Sequence, residues 1–205
     1  MNPKYRGDAK DLFKRGFLSL VRSFPNIRGP KVLPLFTGEF QAPDVAAYLQ
    51  LLAITDSAIV SQARFFPRQG RQEHIEAACI TDHLNDDLFL DPDRGLVASL
   101  RGDTSDREVI TFDEAAALVP AQTDRILMIY DESVNMADRE KATGEKLDAL
   151  QAEPLKLCTF AYFNSSPNHP NVVFTANESG RSRLVAIRAE MVRVGIPSTK
   201  LLPAQ

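Results

Sequence analysis

Asp87-Leu88-Phe89-Leu90-Asp91-Pro92-Asp93-Arg94-Gly95 is the stretch that decides which kind of fold is open to this chain. A short apolar run ends abruptly in two carboxylates, a proline and a glycine. Unbroken apolar runs of this length mark strands buried on both faces, as in parallel sheets. Pro and Gly are the strongest local punctuators of regular structure. The stretch therefore reads as a central strand over 87–91 that delivers Asp91 and Asp93 to the rim of a sheet.

Working outward, a second buried-type run over 125–130 (Ile126-Leu127-Met128-Ile129) also ends in acid, at Asp131-Glu132. Leu157 to Phe163 and Val172 to Thr175 read as two further strands, joined by the loop Asn164-Ser165-Ser166-Pro167-Asn168-His169-Pro170. Residues 31–38 give a strand and turn in which Pro34, unable to donate to a ladder, requires an edge or a bulge. Residues 57–66 read as another strand, and 108–110 as a short edge strand.

Helical spacing separates these runs. Over 8–24 the apolar residues Leu12, Phe13, Gly16, Phe17, Leu20, Val21 and Phe24 predict a helix capped by Asp8 and ended by Pro25, with Lys10 and Lys14 together on a face away from that stripe. Pro43 opens a second helix with Val45, Tyr48, Leu49 and Leu52 on one side. Residues 71–84 resume helical spacing. Thr111 caps a helix over 111–118 with Glu114 at the capping-box position. Residues 135–152 are polar and helix-prone, a solvated helix or a mobile excursion. A last helix over 179–194 buries Leu184, Ile187, Met191 and Val194 and is closed by Gly195.

Strands alternating with helices imply a single α/β domain over 1–205, with a mostly parallel sheet covered on both faces. In such sheets ligands bind outside the carboxyl ends of the strands. That rule gathers Thr37, Asp91, Asp93, Asp131, Glu132, Asn164 and Ser165 at one rim.

Composition bounds the rest. The 205 residues are 44% apolar and 25% charged, as in ordinary globular proteins. No apolar run approaches the roughly 18 residues of a membrane helix, and the polar start lacks the pattern of a signal peptide. Two cysteines, Cys79 and Cys158, fit free thiols in a reducing cytoplasm. The net charge of −3 hides a segregation, because residues 1–31 carry +6 and residues 82–113 carry −6. The balance is not that of a dedicated DNA-binding domain. It fits either solvated faces or a basic entrance beside an acidic centre.

Four carboxylates from two strand ends repel one another unless a cation, an amine or a proton lies between them. Oxygen-rich acidic sites suit Mg²⁺ or Mn²⁺. On that reading Asp91 and Asp131 hold a metal, while Asp93 or Glu132 orients or deprotonates a water. Tyr5, Lys10 and Lys14 combine an aromatic with basic groups, a composition used on nucleic-acid backbones, and Arg94 and Asn164 complete the expected substrate contacts. Cys79 and His83 share a helix face without the further ligands zinc needs, and His169 is the histidine best placed for acid–base work. Phosphate-binding Gly-x-x-x-x-Gly-Lys and nucleophile Gly-x-Ser-x-Gly patterns are absent.

An acidic residue, a buried strand and then Asp91-Pro92 resembles the Asp-Pro-Pro-Tyr motif of Rossmann-like amino-methyltransferases. There the backbone and the acid grip an exocyclic amine. Here Asp93 and Arg94 stand in place of the second proline and the aromatic, and residues 31–40 carry the strand and first glycine of a cofactor loop. This resemblance implies a three-layer, methyltransferase-type sheet and S-adenosylmethionine as cofactor. Tyr5, Gly7, Asp8, Asp11 and Lys14, followed by the Asp-Pro-Asp-x-Gly of Asp91 to Gly95, are also similar to motifs in a family of uncharacterised bacterial and phage proteins. Where those proteins tend to have Tyr-Gln-His, this chain has Tyr130-Asp131-Glu132.

The sequence thus predicts a nucleic-acid- or nucleotide-directed enzyme of methyltransferase-like fold, centred on Asp91 and Asp93. A Mg²⁺-dependent nuclease or phosphoesterase using the same carboxylates stays open. So does a non-catalytic nucleotide- or protein-binding module of phage or mobile-element origin.

Overall fold

The computed structural model describes residues 9–35, 42–55, 75, 85–102, 108–132, 138–164 and 170–203. In chain order the elements are α1 (Ala9–Val21), β1 (Lys31–Leu35), α2 (Ala42–Leu52), β2 (Leu88–Pro92), β3 (Gly95–Val97), β4 (Val109–Thr111), α3 (Phe112–Ala117) and β5 (Leu127–Asp131). They continue with α4 (Arg139–Gln151), β6 (Cys158–Tyr162), β7 (Asn171–Ala176), α5 (Arg181–Arg193) and β8 (Leu201–Pro203). The expected strand over 57–66 and helix over 71–84 fall almost wholly outside the described residues, as do Tyr5, Thr37, Cys79, His83, Ser165 and His169.

Among the described residues six strands form one sheet in the order β1-β2-β5-β7-β6-β8, while β3 and β4 pair in a separate parallel ladder. β1, β2 and β5 run parallel. β7 runs antiparallel to both β5 and β6, and β8 antiparallel to β6. The sheet is therefore mixed. The link from β6 to β7 is shorter than the dozen or so residues a parallel crossover needs, so these two strands pair as a hairpin instead. β8 had no warning in the sequence, being three residues after a short 3₁₀ turn. Among the described strands β1 lies at the edge, which is where a proline such as Pro34 can be tolerated.

Side chains alternate across the pleat, and the buried apolar residues accordingly fall into two clusters. One contains Val32, Phe89, Met128, Tyr130, Phe160 and Phe174 from the sheet, with residues of α1, α2 and α5. The other contains Leu33, Leu88, Leu90, Leu127, Ile129 and Val173, with residues of β3, β4, α3 and α4. α4 is thus no mobile excursion. Leu147 and Leu150 are fully buried, Arg139 and Thr143 are buried with them, and Glu140, Lys141 and Glu145 are exposed.

Local signals account for the helix ends. Glu114 donates its backbone N–H to Thr111 Oγ1 at 3.2 Å, and Thr111 N–H reaches Glu114 Oε2 at 2.9 Å, which completes the capping box. α5 buries Leu184, Ile187 and Met191 and ends before Gly195, whose φ of 99° suits only glycine. Val194 does not join them and is 39% exposed.

α1 is turned from the expected stripe. Its buried residues are Asp11, Lys14, Phe17, Leu18 and Val21, whereas Leu12 is 58% exposed. Lys14 is therefore inside, not on an outer face. The reason lies in what it meets.

Candidate functional site

α1 begins where β2 and β5 end. Lys14 Nζ lies 2.7 Å from Asp91 Oδ1, a charge contact outside hydrogen-bond geometry, and 3.4 Å from Asp11 Oδ1. The same ammonium sits 4.3 Å from the centre of the Tyr130 ring, a cation–π contact that strengthens when desolvated. From α2, the buried Tyr48 hydroxyl donates to Asp91 Oδ2 at 2.9 Å. Both Asp91 oxygens are thus held, and the carboxylate is 1% exposed. One turn earlier on α1, Lys10 pairs with Glu132 just beyond β5.

These contacts set the protonation states. Burial by itself would lower the Lys14 pKa, but Asp91, then Asp11 and Glu132, outweigh it and leave it above its ordinary value. Burial first, then the charge of Asp91, pushes the Tyr48 phenol well above its ordinary value. Lys14 stays a cation and Tyr48 a donor. Asp93, two residues beyond Asp91, is partly exposed at the mouth of this cluster, and its charge is also felt by Tyr48.

Asp131 does not join them. Successive strand residues point to opposite faces. Asp91 follows Phe89 onto the α1–α2 side, while Asp131 follows Ile129 onto the α3–α4 side. There Asp131 Oδ1 accepts the Leu96 N–H at 3.0 Å and Oδ2 lies 2.7 Å from Lys146 Nζ. The Gly95 backbone (φ 105°) lies so close that a Cβ there would be 2.1 Å from Asp131 Oδ1. The two residues expected to share a metal therefore lie on opposite sides of the sheet, each already facing an ammonium group. That arrangement does not fit a shared cation. Among the described residues, no three His, Cys, Asp or Glu side chains are grouped to hold a metal ion.

Of two further expected substrate contacts, Arg94 is paired elsewhere and Asn164 stands apart from the cluster. Arg94 pairs with Glu108, Nε to Oε2 at 3.1 Å, and its N–H donates to the Glu108 carbonyl at 2.7 Å. Asn164 donates its N–H to Asn171 Oδ1 at 3.2 Å, and Asn171 Nδ2 donates to Thr143 at 2.9 Å. It follows β6, three strand spacings from β2, or about 14 Å at roughly 4.8 Å per spacing.

The structure thus brings together Asp91, Asp93, Glu132, Lys10 and Lys14 of the expected residues, and adds Asp11, Tyr48 and Tyr130. The missed signal was Asp11 and Lys14, which extend the line of Phe17, Leu18 and Val21 one turn upstream. Asp87, at the other end of β2, is structural. Its carboxylate accepts from Arg28 N–H at 2.7 Å, Ile126 N–H at 2.9 Å and the Arg183 guanidinium at 2.7 Å.

Comparison of the chain with protein-family models, with curated proteins and with solved structures gave no match. Among the described residues no helix is long and apolar enough to cross a membrane.

Proposed function

We propose that this chain is a nucleic-acid- or nucleotide-directed enzyme of Rossmann-like, methyltransferase-type architecture, working at the carboxyl ends of β2 and β5. The observation that carries this reading is the Lys14–Asp91–Tyr48 cluster beneath the Asp-Pro-Asp turn. Burying a lysine and a carboxylate is usually no better for stability than apolar packing. A perturbed, charged cluster at a strand end is instead common where a site needs a fixed backbone. Asp91 acts as the anchor, and Asp93 with Glu132 forms the mouth.

The charges favour a cationic or amine-bearing ligand. Among the described residues of the cluster, four carboxylates, Asp11, Asp91, Asp93 and Glu132, are set against two ammonium groups, Lys10 and Lys14. An exocyclic base amine or a sulfonium suits that excess. The half-exposed Phe13–Tyr162 stack, with ring centres 6.2 Å apart, provides a nearby apolar wall. S-adenosylmethionine fits this acceptor-rich rim, where it would supply the methyl group. Asp93 and Glu132 would orient an amine, and Lys10 would hold Glu132 in place.

The test is a thermal-shift series with S-adenosylmethionine, nucleotides and Mg²⁺ on wild type and Asp93→Asn. A ligand at a hundredfold excess over Kd stabilises by about 2.7 kcal/mol. Asp93→Asn should keep the unliganded melt and lose the shift. A shift given by Mg²⁺ alone and removed by Asp131→Asn would sink this reading, as would the absence of any shift with S-adenosylmethionine or nucleotides.

A further inference from the structure

At the opposite end of the sheet, where β1 begins, a cavity of about 330 Å³ opens between the turn after α1 and the end of α2. Arg22, Gly29, Lys31, Ala53 and Thr55 are among its lining residues. Arg22 is half-buried and donates one N–H to the Ala53 carbonyl at 3.2 Å. That bond closes the end of α2, where Ala53 takes a left-handed φ of 54°. A guanidinium has five N–H donors, and capping uses one. Burial lowers the Arg22 pKa. Lys31 lies 3.8 Å from Asp86, and the neighbouring Arg28 pairs with Asp124, so among the described residues these two cations are met by acids while Arg22 is not.

A partly desolvated guanidinium beside an ammonium, on the rim of a polar cavity, is suited to a phosphate group. Placement narrows the source. Lys10 sits at the acidic mouth and Arg22 follows the far end of α1, twelve positions on. At 1.5 Å per residue that separation is about 18 Å. A stacked strand advances about 3.4 Å per nucleotide, so roughly five nucleotides span it. A mononucleotide bound at the mouth does not reach the cavity.

We propose that this cavity takes a backbone phosphate of a nucleic-acid strand whose target base lies at the acidic mouth, with Arg22 as the principal contact. The inference rests on the reading of a nucleic-acid-directed site and selects a polymer over a free nucleotide. It also gives the basic segment 1–31 a task beyond solubility. The acidic mouth meets the base amine, and the basic cavity meets the backbone.

The experiment is fluorescence anisotropy of a labelled 12-nucleotide single strand across a salt series, with wild type, Arg22→Gln, Arg22→Lys and Arg193→Gln. Arg22→Gln should weaken binding about tenfold, the size of one lost charged hydrogen bond. It should also make the log K against log salt plot shallower by about 0.7, the counterion release of one phosphate contact on a single strand. Arg22→Lys should keep the slope, and Arg193→Gln, whose exposed guanidinium pairs with Glu190, should change neither quantity. The slope separates contact from capping, since a lost helix cap lowers the melting temperature without altering counterion release. Wild type that fails to bind the strand overturns both the nucleic-acid reading and this site. Binding with an unchanged slope in Arg22→Gln overturns the cavity alone. A mononucleotide that binds as tightly as the 12-mer and equally needs Arg22 overturns the polymer assignment.

Discussion

Replacing Lys14 by methionine tests the central contact of the site. The side chain is 8% exposed and its ammonium faces the 1% exposed Asp91 and the nearby Asp11. Methionine fills a similar volume but leaves a buried carboxylate with, among the described residues, the Tyr48 hydroxyl as its donor. Removing one partner of a buried ion pair costs about 3–5 kcal/mol. For a chain of this size each kcal/mol moves the melting temperature by about 2–4 °C, so the expected fall is about 6–20 °C. The pair as a whole is worth far less, because its attraction mostly offsets its desolvation. Adding Asp91→Asn to Lys14→Met removes the nearer and more deeply buried of the two charges that faced Lys14, while the amide oxygen still accepts from Tyr48. The double variant should then sit only about 1–2 kcal/mol below wild type, the scale of a poorly met polar group. Equilibrium urea unfolding of the wild type, both single variants and the double variant measures this directly. A loss below about 1 kcal/mol for Lys14→Met, or a double variant as unstable as that single one, would refute a desolvated Lys14–Asp91 pair.

Three further outcomes follow from the same contacts. Gly95→Ala should lower the melting temperature sharply, since the added Cβ meets Asp131 Oδ1 at 2.1 Å and its Cα at 2.7 Å with φ at 105°. Lys146→Ala, which leaves more room on that side, should not rescue it because the backbone contact remains. Alkaline stability should fall as pH rises past about 10, because Tyr48 and Lys14 hold their protons more tightly folded than at their ordinary values of 10.0 and 10.5. Their stabilisation is complete below those values and lost above them, and Tyr48→Phe should flatten the alkaline limb of a pH-dependent melt. Asp87→Ala should cost about 3 kcal/mol or more, since it takes the charged acceptor from a mostly buried Arg183, which keeps the Asn26 and Asp124 carbonyls, and from two backbone N–H groups. A melt within about 0.5 kcal/mol of wild type would show that these bonds add nothing.

Much of the fold was legible because it depends on local pattern. The runs read at 87–91, 125–130, 157–163 and 172–175 are short, apolar and bounded by turn residues, as buried strands are, and Thr111 with Glu114 carries a capping box in four residues. Lys10, Lys14, Asp91, Asp93 and Glu132 were legible as site candidates because residue type and strand-end position single them out. Their grouping was not. Whether a strand-end carboxylate meets its neighbour depends on pleat parity between strands that are 35 or more residues apart in sequence.

Asp91 and Asp131 show where the division falls. The sequence by itself determined that each ends an apolar strand in acid, since side-chain chemistry and run length are local properties. Only the tertiary structure decided that Asp91 turns toward α1 and Asp131 toward α4, because a one-residue difference in phase sends a side chain to the other face. It also decided that Lys14 is inside. Helical periodicity alone placed Phe17, Val21 and Phe24 correctly but put Leu12 and Gly16 on the same stripe and Lys14 outside it. Asp91 and the Tyr130 ring, brought from two distant strands, compensate a buried ammonium that no neighbour in the helix could stabilise alone.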